Sequence, residues 1–309
     1  MKRIIYPLLI LFALTLVACS PTGDTPEDDG KLKVVATIGQ VTDAARIVGG
    51  DHVSVQGLMG PGVDPHLYTA TESDVSKLDE ADIIFYNGLF LEAQMEDVLE
   101  QLGERKTAVP IAENIPASKL LASVDYADEH DPHVWFSVEL WIMAVEAIRD
   151  TYVNADPDNS ADYQANANSY IAELNDLHNY TTAQAASVPE QQRVLITAHD
   201  AFSYFGRDYG FEVMGLQGIS TESEASTADV QELANFIVEN QIPAIFIESS
   251  VPVRTVEAVQ AAVADQGFNV AIGGELFSDA MGDEGTPEGT YLGMVRHNID
   301  TIAGALRGN

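Results

Sequence analysis

The stretch NSADYQANANSYIAELNDLHNYTTAQAASV, Asn159 to Val188, decides the architecture. It contains neither proline nor glycine, and it sets Tyr163, Ala167, Tyr170, Ile171, Leu174 and Leu177 along one side of a helix. At ~1.5 Å per residue such a helix is a rod about 45 Å long. A flexible linker would be rich in glycine and serine. This segment therefore reads as a stiff beam between two bodies, one that limits hinge motion.

The sequence on either side supports that division. Short β-branched runs bounded by polar or glycine residues precede the beam at KVVAT (33–37), VSVQGL (53–58), DIIFY (82–86) and TAVPI (107–111). They recur after it at RVLIT (193–197), FEVMGL (211–216), AIFIE (244–248) and NVAIG (269–273). Each reads as a buried strand. A near-constant offset of about 160 residues between the two sets predicts two lobes of similar topology. Helical patterns fill the intervals. In STADVQELANFIVENQ, Ser226 can cap a helix with Asp229 in its first turn. The last segment spaces Leu292, Val295, Ile299, Ile302 and Leu306 as an amphipathic helix lying on a sheet. Strands alternating with helices predict an α/β fold in which each lobe is a mostly parallel, doubly wound sheet with flanking helices. The expected boundaries are an N-terminal lobe at 31–156, the linking helix at 157–188 and a C-terminal lobe at 189–309.

The opening MKRIIYPLLILFALTLVACS has the layout of an export signal over residues 1–18: Lys2 and Arg3, an apolar run, then small residues. The apolar run is too short for a good spanning helix of ~20 residues. Leu16, Val17, Ala18 and Cys19 resemble a bacterial lipobox, with Cys19 as the lipidated first residue of the mature chain. Cys19 is the only cysteine, so no intramolecular disulfide can form and packing must supply the stability. Residues 19–30 then read as a lipidated tether, small, polar and acidic in character. Loss of residues 1–18 removes two positive charges and no acid, leaving 13 basic residues against 48 acidic ones and a formal charge of −35. Nucleic acid is excluded as a partner by that balance. Cations are favoured, although most of the carboxylates read as a solvated acidic shell that would also suit high salt.

Ligands of open α/β sheets bind beyond the carboxyl ends of the strands. The tripeptide Asp-Pro-His stands in two loops of that kind, GVDPHLYTAT (Asp64, Pro65, His66) and EHDPHVWFSV (Asp131, Pro132, His133). Proline disfavours the helical conformation for the residue before it, so each loop arrives extended and presents its histidine in a restrained direction. His199 follows the strand RVLIT, and Asp279 is among the acids that follow NVAIG. A single histidine at a strand end is ordinarily satisfied by a plain hydrogen bond, so these positions gain their weight together. Three imidazoles and a carboxylate form an N3O set that suits zinc as a tetrahedron, or manganese if the carboxylate is bidentate. Glu248, closing the strand AIFIE, can hydrogen-bond to a ligand imidazole, and Asp64 and Asp131 are further candidates to orient one. His130 reads as part of a solvated acidic loop, and His52, His178 and His297 as surface residues. Trp135 and Phe136 read as packing near the cleft.

The chain resembles the cluster A-I solute-binding proteins of zinc and manganese ABC importers, the ZnuA- and TroA-like lipoproteins, some of which are also described as adhesins. The resemblance rests on VVATIGQVTDAARIVGGD, GPGVDPHLYTATESDVSKLDEADIIFYNG, DPHVWFS, LITAHDAFSYFGRDYGF, GISTESEAS, ELFSDAMG and EGTYLGMVRHNIDTIAGAL, in order over nearly the whole chain. It implies that His66, His133, His199 and Asp279 are the metal ligands. It further implies a monomer, lipid-anchored on the outer face of the cytoplasmic membrane or in the periplasm, that delivers one Zn2+ or Mn2+ to a membrane permease driven by a separate ATPase. No G-x-x-x-x-G-K-[ST] is present, so nucleotide hydrolysis is not expected of this chain. Zinc-specific relatives often carry a His-rich loop, where this chain offers only His130 beside the ligand. Manganese-preferring relatives often have Glu at the third position, where this chain has His199. The general affinity order favours zinc. A zinc hydrolase with Glu248 as base is the competing reading from another class, and a metal-stabilised adhesin is a third. Asp279 would close the hydrolase site, and no H-E-x-x-H is present. Because imidazole must be neutral to coordinate, affinity is expected to fall below about pH 6.

Overall fold

The computed structural model describes residues 30–123 and 129–307. The expected leader, Cys19 and the tether up to residue 29 lie outside the described residues. Among the described residues no helix is long and apolar enough to cross a membrane.

Four parallel strands build the first sheet: β1 (Leu32–Ala36), β2 (Val53–Gly57), β3 (Ile83–Tyr86) and β4 (Thr107–Pro110), in the order β2-β1-β3-β4. The strand order reverses between β1 and β3, as in doubly wound sheets. The two central strands, β1 and β3, bury apolar side chains on both faces, as burial between helices requires: Val34, Val35, Ile83, Ile84 and Phe85 are all buried, while the edge strands expose Ser54, Gln56 and Thr107. The crossovers are α1 (Gly39–Gly49), α2 (Glu72–Glu80) and α3 (Glu96–Gly103), with α4 (Val138–Ala155) following the long β4 loop. Helix α2 opens on a capping box in which Thr71 Oγ1 accepts from Asp74 N and Asp74 Oδ2 accepts from Thr71 N. Tyr68 also donates to Asp74 Oδ2 at 2.8 Å, which ties the end of the His66 loop to that helix.

The beam is α5, Ser160–Ala186, 27 residues long, and it buries Tyr163, Ala167, Tyr170, Leu174 and Leu177, all but one of the apolar positions that defined it in the sequence. Ile171, the sixth, is partly buried against the same core.

Beyond the beam come β5 (Val194–His199), α6 (Ser203–Tyr209), β6 (Glu212–Gln217), α7 (Thr227–Asn240), β7 (Ala244–Glu248), α8 (Arg254–Asp265), β8 (Ala271–Leu276) and α9 (Tyr291–Leu306). Ser226 and Asp229 form the capping box of α7. The pairing here is parallel but split into two ladders, β5–β6 and β7–β8, where the sequence predicts one sheet. Strand β8 also runs three residues past the expected end at residue 273. Its ladder continues through Ile247 opposite Glu275 and Glu248 opposite Leu276. Gly273 looks like a terminator, yet a Cβ there would stand 2.6 Å from Phe246 Cε1, so the glycine serves close packing within the strand.

The described residues from 31 to 307 form one compact unit. A single apolar cluster runs from the first sheet through α4 and α5 into α6 and α9, while a second lies under α7 and α8. Alternate residues of β5 divide between them, with Leu195 in the first and Ile196 in the second. Helix α9 is bound into the first half as well: Tyr291 stacks on Trp141 at 5.1 Å, its backbone N donates to Asp43 Oδ2 at 2.9 Å, and its hydroxyl donates to Trp135 O at 2.7 Å. The shared core opposes independent movement of the two halves.

Candidate metal centre

The chain leaves β2, β4, β5 and β8 at their carboxyl ends and converges between the two halves of the molecule. His66 lies in the loop after β2, His133 in the loop after β4, His199 is the last residue of β5, and Asp279 stands three residues after β8. Gly215 on β6 permits the exit from β5, because a Cβ there would be 2.3 Å from Asp200 N.

One donor atom from each of His66, His133, His199 and Asp279 lies within 4.8 Å of the other three. The side chains are almost wholly inaccessible, at 3%, 0%, 0% and 1% relative exposure. His66 Nε2 is 3.3 Å from His133 Nε2. Asp279 Oδ1 is 3.4 Å from His133 Nε2, and Oδ2 is 3.3 Å from His199 Nε2. Donors around a tetrahedral ion with bonds of ~2.0–2.1 Å stand about 3.3 Å apart. Two buried atoms of the group, His199 Nε2 and Asp279 Oδ1, have no hydrogen-bond partner. Unsatisfied buried polar atoms are costly, and a cation between them would satisfy both.

Two imidazoles are aimed by carboxylates. Asp131 Oδ1 accepts from both the backbone N (2.9 Å) and Nδ1 (2.8 Å) of His133. Glu248 does the same for His199 with its two oxygens, Oε1 to the backbone N at 2.9 Å and Oε2 to Nδ1 at 2.5 Å. A proton fixed on Nδ1 leaves the lone pair of Nε2 facing the centre. Asp64 behaves differently: Oδ1 accepts from the His66 backbone N at 2.9 Å, and Oδ2 accepts from the Thr221 hydroxyl at 2.6 Å. Asp64 therefore orients the loop and reaches across the cleft, and it does not touch the ring of His66 as the sequence suggested.

The electrostatics divide the histidines. Burial drives the pKa of His66 down to about 3, and the nearby Asp279 charge only partly opposes this. Burial acts in the same direction on His133, but Asp131 and Asp279 outweigh it and raise that pKa to about 9. His199 is likewise raised well above its usual value despite burial, by Glu248 and Asp279. Asp279, against its own burial, is held well below the usual carboxylate range by His199 and His133. Without an ion, then, the carboxylates beside His133 and His199 favour the protonated form of both rings. A divalent cation carries the same charge as the two protons it would displace.

Sequence reasoning missed the side chains that fix this geometry from a distance. Gln40 Nε2 donates to the carbonyls of Ser278 and Asp279, each at 3.2 Å, and Trp135 Nε1 donates to Ser278 O at 3.1 Å. Asn87 Nδ2 donates to Pro132 O at 3.0 Å, and Tyr204 OH donates to Asp131 O at 2.9 Å. Their signal was a polar residue just past a strand or beside an aromatic in the longest motifs. Trp135 packs against His133 at 5.2 Å and Phe136 against Phe202 at 4.1 Å between ring centres. The remaining histidines stay outside the cluster: His52 pairs with Asp162 at 2.8 Å, His130 Nδ1 lies 3.3 Å from Leu121 O, His178 meets Tyr209 OH at 3.3 Å, and His297 meets Glu275 O at 2.9 Å.

Comparison with known proteins gives consistent matches. The family described as "ZnuA: Zinc-uptake complex component A periplasmic" matches residues 34–305. The chain is 48% identical over 299 residues to the manganese-binding lipoprotein MntA of Bacillus subtilis (strain 168), covering 96% of this chain and 97% of that one. It is 53% identical over 278 residues to the zinc-binding protein TroA of Treponema pallidum (strain Nichols), covering 90% of each. The solved structure of the periplasmic zinc-binding protein TroA from Treponema pallidum superposes with a TM-score of 0.88 at 52% identity, covering 90% of this chain and 100% of that one.

Proposed function

Because the chain belongs to the family of the periplasmic component A of zinc-uptake complexes, we propose that it is the extracytoplasmic solute-binding lipoprotein of an ABC importer. Its cargo is one Zn2+ or Mn2+, held by His66, His133, His199 and Asp279 and passed to a membrane permease backed by a separate ATPase. The anchor is a lipid on Cys19, and the protein acts as a monomer. The relatives are named as metal-binding proteins and as substrate-binding lipoproteins of metal ABC transporters rather than as enzymes. Asp279 fills the position that a zinc hydrolase keeps open for water.

One observation carries this reading: three imidazole Nε2 atoms and a carboxylate, contributed from both sides of the beam, are buried together with two of the donor atoms unpartnered. Binding bonds the His66 and His133 side to the His199 and Asp279 side, and the shared core restricts the motion to a small one. The test is calorimetric titration of zinc and manganese into the parent and into His199→Ala. The variant should lose affinity by orders of magnitude for both ions while its metal-free form stays folded. Saturation at about 1,000 times Kd should stabilise the parent by about 4 kcal/mol and leave the variant unmoved. Unchanged binding in His199→Ala removes the assignment.

A further inference from the structure

The loop after β7 supports both ligands contributed from beyond the beam. Glu248 holds His199, and two residues later Ser250 Oγ lies 3.3 Å from Asp279 Oδ2 and 2.9 Å from Ser278 Oγ. When Ser250 donates to the carboxylate, Ser278 can donate to Ser250, so the two hydroxyls form a short relay ending on Oδ2. Both oxygens face the centre, Oδ1 toward His133 Nε2 at 3.4 Å and Oδ2 toward His199 Nε2 at 3.3 Å, but only Oδ2 carries the hydroxyl contact. The two oxygens of one ligand are thus inequivalent before any ion arrives.

The backbone cannot relieve that inequivalence by sliding. Gln40 grips the carbonyls of Ser278 and Asp279 from α1, Trp135 grips Ser278 again, and Ser249 Oγ donates to Ala280 O at 2.9 Å. With the peptide pinned on both sides of Asp279, rotation of its carboxylate decides how many oxygens reach the ion. A hydroxyl proton on Oδ2 occupies one of that oxygen's lone pairs and weakens it as a donor, which favours Oδ1 as the stronger one. One carboxylate oxygen and three nitrogens make the four-coordinate set that zinc accepts, whereas oxygen-favouring manganese gains from the second oxygen.

We propose that Ser250 is a specificity-determining residue, holding Asp279 to one oxygen and so biasing the centre toward zinc over manganese. This rests on the metal site proposed above. The two ideas separate in one experiment, in which Zn2+, Mn2+ and Co2+ are titrated separately into the parent, Ser250→Ala and Ser250→Thr. In the parent, Co2+ should give the intense visible bands of a four-coordinate site. In Ser250→Ala those bands should weaken toward a higher-coordinate spectrum, and the zinc-to-manganese affinity ratio should fall about tenfold, as expected for loss of a ligand-supporting hydrogen bond. Ser250→Thr, which keeps the hydroxyl, should restore both. An unchanged ratio and spectrum in Ser250→Ala overturns the role of Ser250 while leaving the site standing. An equal loss of affinity for both ions with the parent's spectrum overturns it too, since the hydroxyl would then only support the loop. Failure of the parent to bind any of the three ions overturns the site itself.

Discussion

In the loop Asp64-Pro65-His66 the aspartate holds the opposite half of the molecule, through Thr221, whereas in Asp131-Pro132-His133 it holds its own imidazole. The backbone bond from aspartate to the histidine N is 2.9 Å in both, so the tripeptide dictates the same local turn twice. What the second carboxylate contact meets is set by surroundings far away in sequence. One motif therefore yields an imidazole that is neutral over the ordinary pH range and another that carries a proton until about pH 9. A repeated motif fixes a conformation; the charge state comes from the fold around it.

The largest expected effect follows from that charge difference. His133 and His199 must each lose a proton to coordinate, and His66 has none to lose. A group whose pKa is raised in the metal-free protein opposes binding at every pH below that raised value. The decline in affinity should therefore begin near pH 9, and not near pH 6 as an unperturbed imidazole suggests. Each displaced proton costs about tenfold in affinity per pH unit, so two should give up to about a hundredfold between pH 8 and pH 7. Zinc titrations in buffers of different ionisation enthalpy should count about two protons released per ion at pH 7. A count near zero would mean that the carboxylates do not charge these rings.

Next in size is the contrast between the two aspartates. Asp131→Asn should weaken zinc binding by about 10- to 100-fold, the usual cost of losing a carboxylate behind a ligating histidine. It should also lower the proton count by about one, because the main charge that raises His133 is gone. Asp64→Asn touches no ring, and its equilibrium affinity should fall by no more than about fivefold, since only a contact outside the donor set is weakened. Equal losses in the two variants, measured by competition with a chelator, would erase the distinction between the loops.

The residues that hold short-range contacts were legible in the sequence, and those that hold long-range ones were not. The beam, the Ser226 cap and the three donor histidines each depend on a local pattern: helical spacing, a hydroxyl three residues before an acid, a histidine past a strand end; Asp279 was singled out among nearby acids by the family resemblance. Asp131 was readable for the same reason, two residues from His133, whereas Glu248 was readable only from its place at a strand end, since its contact with His199 spans 49 residues. Gln40 and Ser278 are 238 residues apart and Asp64 and Thr221 are 157 apart, so nothing in either neighbourhood names its partner. The end of β8 was misplaced because Gly273 and Gly274 suggest a stop, while the deciding contact is with Phe246 on the neighbouring strand. The split of the second sheet into two ladders was invisible because strand composition says nothing about which edges pair.

The smallest predicted effect tests what Asp64 does in place of orienting its ring. Thr221 lies on the loop GISTESEAS, which supplies no donor to the centre, and its hydroxyl bond to Asp64 joins the His66 loop to the far side of the cleft. Loss of that bond should leave the coordination intact and make opening easier. Asp64 is only half-buried, so its freed oxygen is rehydrated and the cost is about 1 kcal/mol, or roughly fivefold in the rate of metal release. Chelator-driven release, followed by stopped flow, should be faster by that factor in Thr221→Val and in Asp64→Asn. The double variant should be no faster than either single one, because both remove the same bond. Additive acceleration would show that the two residues act separately, and the Asp64 loop would then differ from the Asp131 loop only in lacking a ring contact.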